Sequence, residues 1–172
     1  MITEKSTPQE LIQEIDSTIS QFLDMISMLD NNKINEVPFE DSWTAAQLFN
    51  HILKSTSGIV QAMKMDGKSV ERNSEEKVAE LKNIFLDFSS KFQSPKEIVP
   101  DNGPFEREKI IDDLTICFKD LKFYSSNTNL NEGIDGGPLG SITKYELLHF
   151  VLYHSQRHLR QMKRIYEAVI VK

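Results

Sequence analysis

Apolar side chains recur every three or four residues along most of this 172-residue chain, and this spacing limits what it can fold into. An α-helix completes a turn every 3.6 residues, so side chains three and four positions apart lie on one face. The clearest such stripe is Ile12, Ile15, Ile19, Phe22, Ile26 and Leu29. Four later segments show the same period, and no stretch of strand length alternates between apolar and polar residues. The pattern predicts an all-α helical bundle.

Three helix starts can be identified from capping boxes, in which Ser or Thr precedes Glu or Gln by three residues. The three pairs are Thr7 with Glu10, Thr44 with Gln47, and Thr143 with Glu146. Together with the apolar stripes they predict long helices over residues 8–29, 44–66, 106–126 and 143–170. A further helical segment is predicted over 74–92, where Val78, Leu81, Phe85, Phe88 and Phe92 recur with the same period.

Length and composition favour one globular domain spanning residues 1–172. At 172 residues the chain is long enough to bury a sizeable core, and 27% of it is charged. Its net charge is −6, and no dense Lys/Arg patch stands out beyond one helix face. This balance argues against a nucleic-acid partner and against binding to an anionic membrane.

The sequence also bears on where the protein is located and on whether it can form a disulfide. Residues 1–6 have no apolar stretch of signal-peptide length, and no run approaches the length of a membrane span. Cys117 is the only cysteine, which excludes an intrachain disulfide and makes a reducing cytoplasm the simplest location. Cys117 lies on an apolar helical line with Leu114 and Leu121, so we expect a buried thiol rather than a nucleophile.

The histidines are the strongest candidates for chemistry. On the last predicted helix, His154 and His158 lie four residues apart and fall within about 20° of an apolar seam that includes Leu147 and Val151. His51 lies on the second long helix in a row of polar residues, which we call the polar lane, beside the apolar stripe of that helix; the row is Thr44, Gln47, His51 and Ser55. On the same helical wheel His149 falls among Gln and Arg residues, so we expect it on the charged, exposed side.

Two interpretations of the inward-facing histidines remain open at this point. Neutral imidazoles are good ligands for zinc, nickel, iron or copper, and two at this spacing can share one ion from a single helix. Alternatively, the imidazoles are hydrogen-bonded core residues. Two imidazoles in one seam would repel each other if both were charged, and each needs partners for two ring nitrogens.

Other charged residues give weaker signals. The acidic residues are scattered along faces that we expect to be exposed, and Arg160, Lys163 and Arg164 form a basic strip that we expect to be solvated. Arg157 lies nearer the His154 edge of the seam, where a guanidinium could hold an anionic group at the mouth of a site. Residues 95–105 and 125–141, the latter containing Gly136-Gly137-Pro138, are predicted to be loops that shape a pocket.

Two motifs resemble those of a known family. Residues 42–51, SWTAAQLFNH, resemble the tryptophan-to-histidine motif on the second helix of the DinB-like superfamily. Residues 139–143, LGSIT, followed by residues 154–161, HSQRHLRQ, resemble its C-terminal signature. The order of the motifs and the helical pattern match across nearly the whole chain.

The resemblance implies a DinB-like four-helix bundle with an additional helical segment, and a homodimer. It also implies a divalent-metal site, most often zinc or nickel, formed by His51, His154 and His158 and completed by waters. Arg157, Gln47 and Gln161 match motif positions and are implied to contact the ligands or the substrate, and Trp43 to pack beside them.

Family members with known activities include bacillithiol, mycothiol and glutathione S-transferases and a thiol-dependent maleylpyruvate isomerase. By resemblance, we expect a metal-dependent thiol S-transferase or related hydrolase that acts on a small molecule together with a low-molecular-weight thiol. The alternatives are a non-catalytic metal- or small-ligand-binding module and a stress-related bundle protein.

Overall fold

Four long helices form the body of the computed structural model, which describes residues 6–134 and 139–171. In chain order the elements are α1 (Pro8–Ser27), α2 (Asn31–Ile34), α3 (Ala45–Lys64), α4 (Val78–Leu86), a 3₁₀ turn (Lys96–Ile98), α5 (Arg107–Ser126), β1 (Gly133–Ile134), β2 (Ile142–Thr143) and α6 (Lys144–Ile170). Helices α1, α3, α5 and α6 are the long ones. The all-α prediction, with a further helix beside four long ones, is confirmed.

The three capping boxes begin the helices as predicted. The Thr7, Thr44 and Thr143 side chains each accept a hydrogen bond from the backbone N–H three residues on. The Glu or Gln at that third position accepts one from the backbone N–H of the threonine in return. Because both partners of each bond lie within four residues, the capping boxes depend only on local sequence and form in the folded chain as predicted.

The core lies between the long helices. α1 packs against α6 and α5, and α3 packs against α5 and α6. The whole predicted stripe of α1 is buried, from Ile12 to Leu29, and Phe22 meets Phe49 of α3 edge to face with ring centroids 5.5 Å apart. Burying these side chains is the main force that assembles the bundle.

The first helix is shorter than predicted. It ends at Ser27, and Asp30 then caps the short α2 by accepting a hydrogen bond from the Lys33 N–H. The periodic stripe extends past the end of α1 because Leu29 stays buried in the turn. Apolar spacing therefore located the core residues here but not the helix boundary.

The predicted segment 74–92 is helical only over Val78–Leu86. Beyond it, the Asp87 carboxylate accepts hydrogen bonds from the Ser89 N–H and from the Ser89 and Ser90 hydroxyls. Such local side-chain bonds stabilise a turn in place of another helical turn. Consequently Phe88 and Phe92 are 43% and 54% exposed, and the prediction that the helix continues to residue 92 was wrong.

The loop between α5 and α6 contains a minimal β-pairing. β1 and β2 pair antiparallel, and Lys68 forms an isolated bridge to Gly133. The predicted Gly136-Gly137-Pro138 turn lies outside the described residues, as do five of the six residues examined for a signal peptide. Across residues 6–134 and 139–171, no helix combines the length and the apolarity needed to cross a membrane.

Candidate metal centre

The bundle brings His51, His154 and His158 together. His51 lies in the second turn of α3, and the other two lie one turn apart in the middle of α6. Their Nε2 atoms form a triangle in which each pair is 3.1 Å apart. The three residues are 2%, 5% and 9% exposed, in that order. The polar lane of α3 and the apolar seam of α6 therefore meet at one buried point.

The size of this triangle suits one metal ion. Ligand nitrogens at about 2.0–2.1 Å from a zinc ion lie about 2.8–3.4 Å apart for angles between octahedral and tetrahedral. The observed separation of 3.1 Å falls inside that range for all three pairs. In the part of the chain that the structure describes, this is the one group of His, Cys, Asp or Glu side chains close enough to share an ion.

The other nitrogen of two of these rings already has a partner. His51 Nδ1 lies 2.7 Å from the backbone carbonyl oxygen of Ile98, and His158 Nδ1 lies 2.9 Å from Gln161 Oε1. Because these oxygens accept hydrogen bonds, each Nδ1 must carry the proton. In a neutral imidazole Nε2 is then a bare lone pair, which is the form that binds metals.

The His51 and His158 Nε2 atoms therefore face each other as two acceptors 3.1 Å apart. A proton on His154 Nε2 can serve only one of them, so hydrogen bonds among the rings leave at least one pair of lone pairs in contact. A cation at the centre removes that conflict. The donor chemistry fits a divalent transition metal better than a hydrogen-bonded core.

Electrostatics keep the three rings neutral. Burial lowers the pKa of His51 despite its bond to Ile98. Burial and the neighbouring histidines lower the pKa of His154 well below its ordinary value. Burial, assisted by His51 and Arg157, lowers the pKa of His158 to about 3. All three therefore offer unprotonated nitrogen at neutral pH.

Aromatic rings enclose the cluster. Trp43 packs on His51 with ring centroids 5.0 Å apart, as the family resemblance implied for it. Phe150 stacks on His154 at 5.1 Å with only 19° between the ring planes. Phe85 of α4 meets the same imidazole edge to face at 5.9 Å. These rings surround His51 and His154 with apolar surface, which lowers the local dielectric and strengthens electrostatic interactions there.

Comparison with protein families agrees with this architecture. The family model described as the DinB superfamily matches residues 14–162, which include all three histidines. The chain belongs to the DinB superfamily. Searches of curated proteins and of solved structures found no match to it. For this DinB protein, the match supports the fold, and membership together with the three clustered histidines is compatible with metal binding.

Gln161 and Gln47 have different surroundings in this DinB protein. Gln161 contacts one histidine of the triangle directly, since its Oε1 accepts the His158 Nδ1–H. Gln47 completes the α3 capping box, and its Nε2 reaches the Asp101 carbonyl oxygen at 3.4 Å. Among the hydrogen bonds of the described residues, none joins Gln47 to the histidines.

The Arg157 guanidinium holds the segment that follows α4. Its Nη1 donates to the carbonyl oxygens of Phe85 and Asp87, at 3.3 and 2.8 Å, and its Nη2 donates to that of Ser90. Its carbon lies 4.8 Å from the centre of the Phe92 ring. These contacts use three of the five guanidinium N–H groups. The predicted role in orienting an anion stays a prediction.

His149 contradicts the expectation that it faces solvent. It is 6% exposed and packs between Tyr145 and Tyr153, whose hydroxyl lies 3.2 Å from His149 Nδ1. The helical wheel gave its direction correctly, away from the triad, but that side of α6 is covered. Every residue from 144 to 155 is buried, so this half of the helix has no solvent side.

Two other predictions concern isolated side chains. Cys117 is 7% exposed, as expected, and burial raises the pKa of its thiol despite a contact with Ser57. The expectation of exposed acidic residues was wrong for Glu146, whose carboxylate is 0% exposed and pairs with Arg72 at 2.6 Å. Sequence spacing could not reveal that pair, because its members are 74 residues apart.

Sequence reasoning also missed the Ile98 carbonyl, which fixes the tautomer of His51. A backbone oxygen has no side-chain signature. The available signal was the predicted pocket-shaping loop at 95–105, which the structure places against α3.

Proposed function

We propose that this DinB protein binds one divalent transition metal, zinc or nickel, through the Nε2 atoms of His51, His154 and His158. The observation that carries the proposal is the buried triangle of nitrogens 3.1 Å apart, with two rings already committed to donate from Nδ1. Three protein ligands leave coordination positions for water or substrate, as in catalytic metal sites.

We further propose a metal-dependent thiol S-transferase or related hydrolase. When bound, the metal supplies Lewis acidity that lowers the pKa of a thiol or water to near neutral. The three histidines hold it, and the Ile98 carbonyl and Gln161 orient two of the imidazoles. Phe85 and Phe150 keep bulk water away from His154. Within the described residues, two of the five guanidinium N–H groups of Arg157 make no hydrogen bond, and we propose that they hold an anionic co-substrate.

Metal content tests the first part of the proposal. Protein purified without a histidine tag is expected to retain about one equivalent of zinc or nickel. His51→Ala and His154→Ala are expected to lose it, whereas His149→Gln, which changes a buried histidine outside the triangle, retains it. Stoichiometric metal in both alanine variants would contradict the site.

Turnover tests the second part. The metal-loaded protein is assayed with a panel of low-molecular-weight thiols and electrophiles, and with ester and amide substrates. Cys117→Ala serves as the matched control, because it removes the chain's only thiol. The proposal expects turnover that His154→Ala abolishes and that Cys117→Ala preserves. Loss of activity in Cys117→Ala would contradict the proposal, because it would show that the reaction depends on the Cys117 thiol.

One observation favours a second candidate, a metal- or small-ligand-binding module without catalysis. The three histidines are 9% exposed or less, so little of the centre is open to a substrate. This candidate predicts the same metal content and stabilisation by mass action, with no turnover on any substrate of the panel.

A further inference from the structure

The carbonyl that orients His51 belongs to a segment with little structure of its own. Residues 96–101, which we call the strap, lie in the connection between α4 and α5. Their internal order is a single 3₁₀ turn, in which the Ile98 and Val99 N–H groups bond to Pro95 and Lys96. Such short turns are held in place mainly by what they pack against.

One face of α3 holds the strap. Gln47, Asn50, His51 and Lys54 follow the spacing i, i+3, i+4 and i+7, so their side chains lie along one side of the helix. Lys54 Nζ donates to the Val99 carbonyl oxygen at 3.0 Å and to the Asp101 carboxylate at 2.8 Å. Asn50 Oδ1 accepts the Asp101 N–H at 2.9 Å. The same helix face thus carries the metal ligand and the groups that fix its hydrogen-bond acceptor.

Lys54 and Asn50 restrict the Ile98 carbonyl through only a few rotatable backbone bonds. The peptide unit after Ile98 is planar, and only the two backbone torsions of Val99 separate it from the Val99 carbonyl. Fixing that carbonyl and the Asp101 N–H therefore restricts where the Ile98 oxygen can point. The bond that depends on this direction is the 2.7 Å contact to His51 Nδ1.

We infer that Lys54, with Asn50, is a positioning residue for the metal ligand His51, which it orients through the strap; this inference rests on the proposed metal site. Which ring nitrogen of a histidine binds metal is set by the hydrogen bond that the other nitrogen makes. When the strap is released, the Nδ1–H of His51 loses its fixed acceptor. The tautomer protonated on Nε2, which cannot bind the ion at that atom, then becomes populated.

The test compares Lys54→Met with Lys64→Met. Both residues lie on α3, but Lys64 stands over the Tyr124 ring at the far end of the helix. Metal-stripped proteins are titrated with Zn²⁺ against a chromophoric chelator. Changes around metal ligands cost about 10–100-fold in affinity, and the indirect path places Lys54→Met near tenfold. Asn50→Ala is expected to change affinity in the same direction, and Lys54→Arg, which can donate to both acceptors, to restore most of it.

A second readout does not need metal. Long-range ¹H–¹⁵N NMR of the metal-free proteins reports which nitrogen of His51 carries the proton. Wild type and Lys64→Met are expected to be protonated on Nδ1, and Lys54→Met to show a mixture. Wild-type affinity and an unchanged tautomer in Lys54→Met would overturn the inference, as would an equal loss of affinity in Lys64→Met. If the wild type binds no Zn²⁺, the proposed function fails, and the tautomer alone decides the inference.

Discussion

Glu146 fastens the start of the helix that carries two of the three histidines, and its replacement by glutamine gives the sharpest stability test. The buried carboxylate accepts two guanidinium N–H bonds from Arg72, at 2.6 and 2.7 Å. It also accepts the backbone N–H groups of Lys77 and Thr143, both at 2.8 Å. One side chain therefore joins the loop before α4 to the first turn of α6.

Glu146→Gln keeps the shape of this contact but removes its charge and turns one acceptor into a donor that faces the guanidinium. Breaking one partner of a buried ion pair costs about 3–5 kcal/mol. Arg72 is 21% exposed and regains part of its hydration, so the lower end, about 3 kcal/mol, applies. For a chain of this length, that loss lowers the melting temperature by about 6–12 °C.

The assay is thermal and urea unfolding followed by circular dichroism, with Glu10→Gln as the matched control. Glu10 occupies the same capping-box position at the start of α1, where it accepts the Thr7 N–H at 2.7 Å on an exposed surface. The control is expected to unfold close to the wild type, because an exposed helix start can be rehydrated. Equal losses of stability in the two variants would refute this prediction. Burial and the ion pair with Arg72 would then contribute no stability beyond that of the capping box.

Two further predictions concern pH and metal. Burial opposes ionisation of Glu146, but the bonds from Arg72, Thr143 and Lys77 outweigh it and hold its pKa below the ordinary value. Its contribution to stability is therefore complete above about pH 4.3 and is lost as the pH falls towards the lowered pKa, so Glu146→Gln should flatten the acidic limb of a stability–pH curve. A limb as steep as that of the wild type would contradict this. Zn²⁺ at about 100 times its dissociation constant should stabilise the protein by about 2.7 kcal/mol, or roughly 5–10 °C, and chelation should reverse the shift. His51→Ala should show neither effect, and an undiminished shift in that variant would exclude His51 as a ligand.

Features of the fold that depend on bonds between residues close in sequence were the ones that the sequence predicted best. The helix starts at Thr7, Thr44 and Thr143 were predicted correctly because both halves of each capping box lie within four residues. The end of α4 was missed because Asp87 bonds to the two serines after it, and the apolar period of the phenylalanines gave no sign of that competition. Local bonds therefore decided both the successes and this failure.

In the candidate site, too, the features set by local helical spacing were predicted and those set by distant contacts were not. Helical spacing placed His154 and His158 on one face, and the polar lane of α3 indicated that His51 borders a site. A helical wheel does not show which other elements pack against a given face. The prediction that His149 is exposed was therefore wrong, because residues 144–155 of the helix are buried on every side. The Ile98 carbonyl was beyond reach, because the acceptor is backbone and its position depends on contacts 45–51 residues apart in sequence.

The histidine cluster is a poor solution to the problem of filling a core. Buried polar atoms cost free energy unless they are hydrogen bonded, and three Nε2 atoms 3.1 Å apart cannot all be satisfied by one another. Leucines at these positions would add apolar burial without that conflict. The chain instead commits the Ile98 carbonyl, Gln161 and the residues that clamp the strap to holding two imidazoles in the metal-binding tautomer. Stability of the metal-free fold does not account for this arrangement, and this is the reason for the cation that we propose at the centre of the triangle.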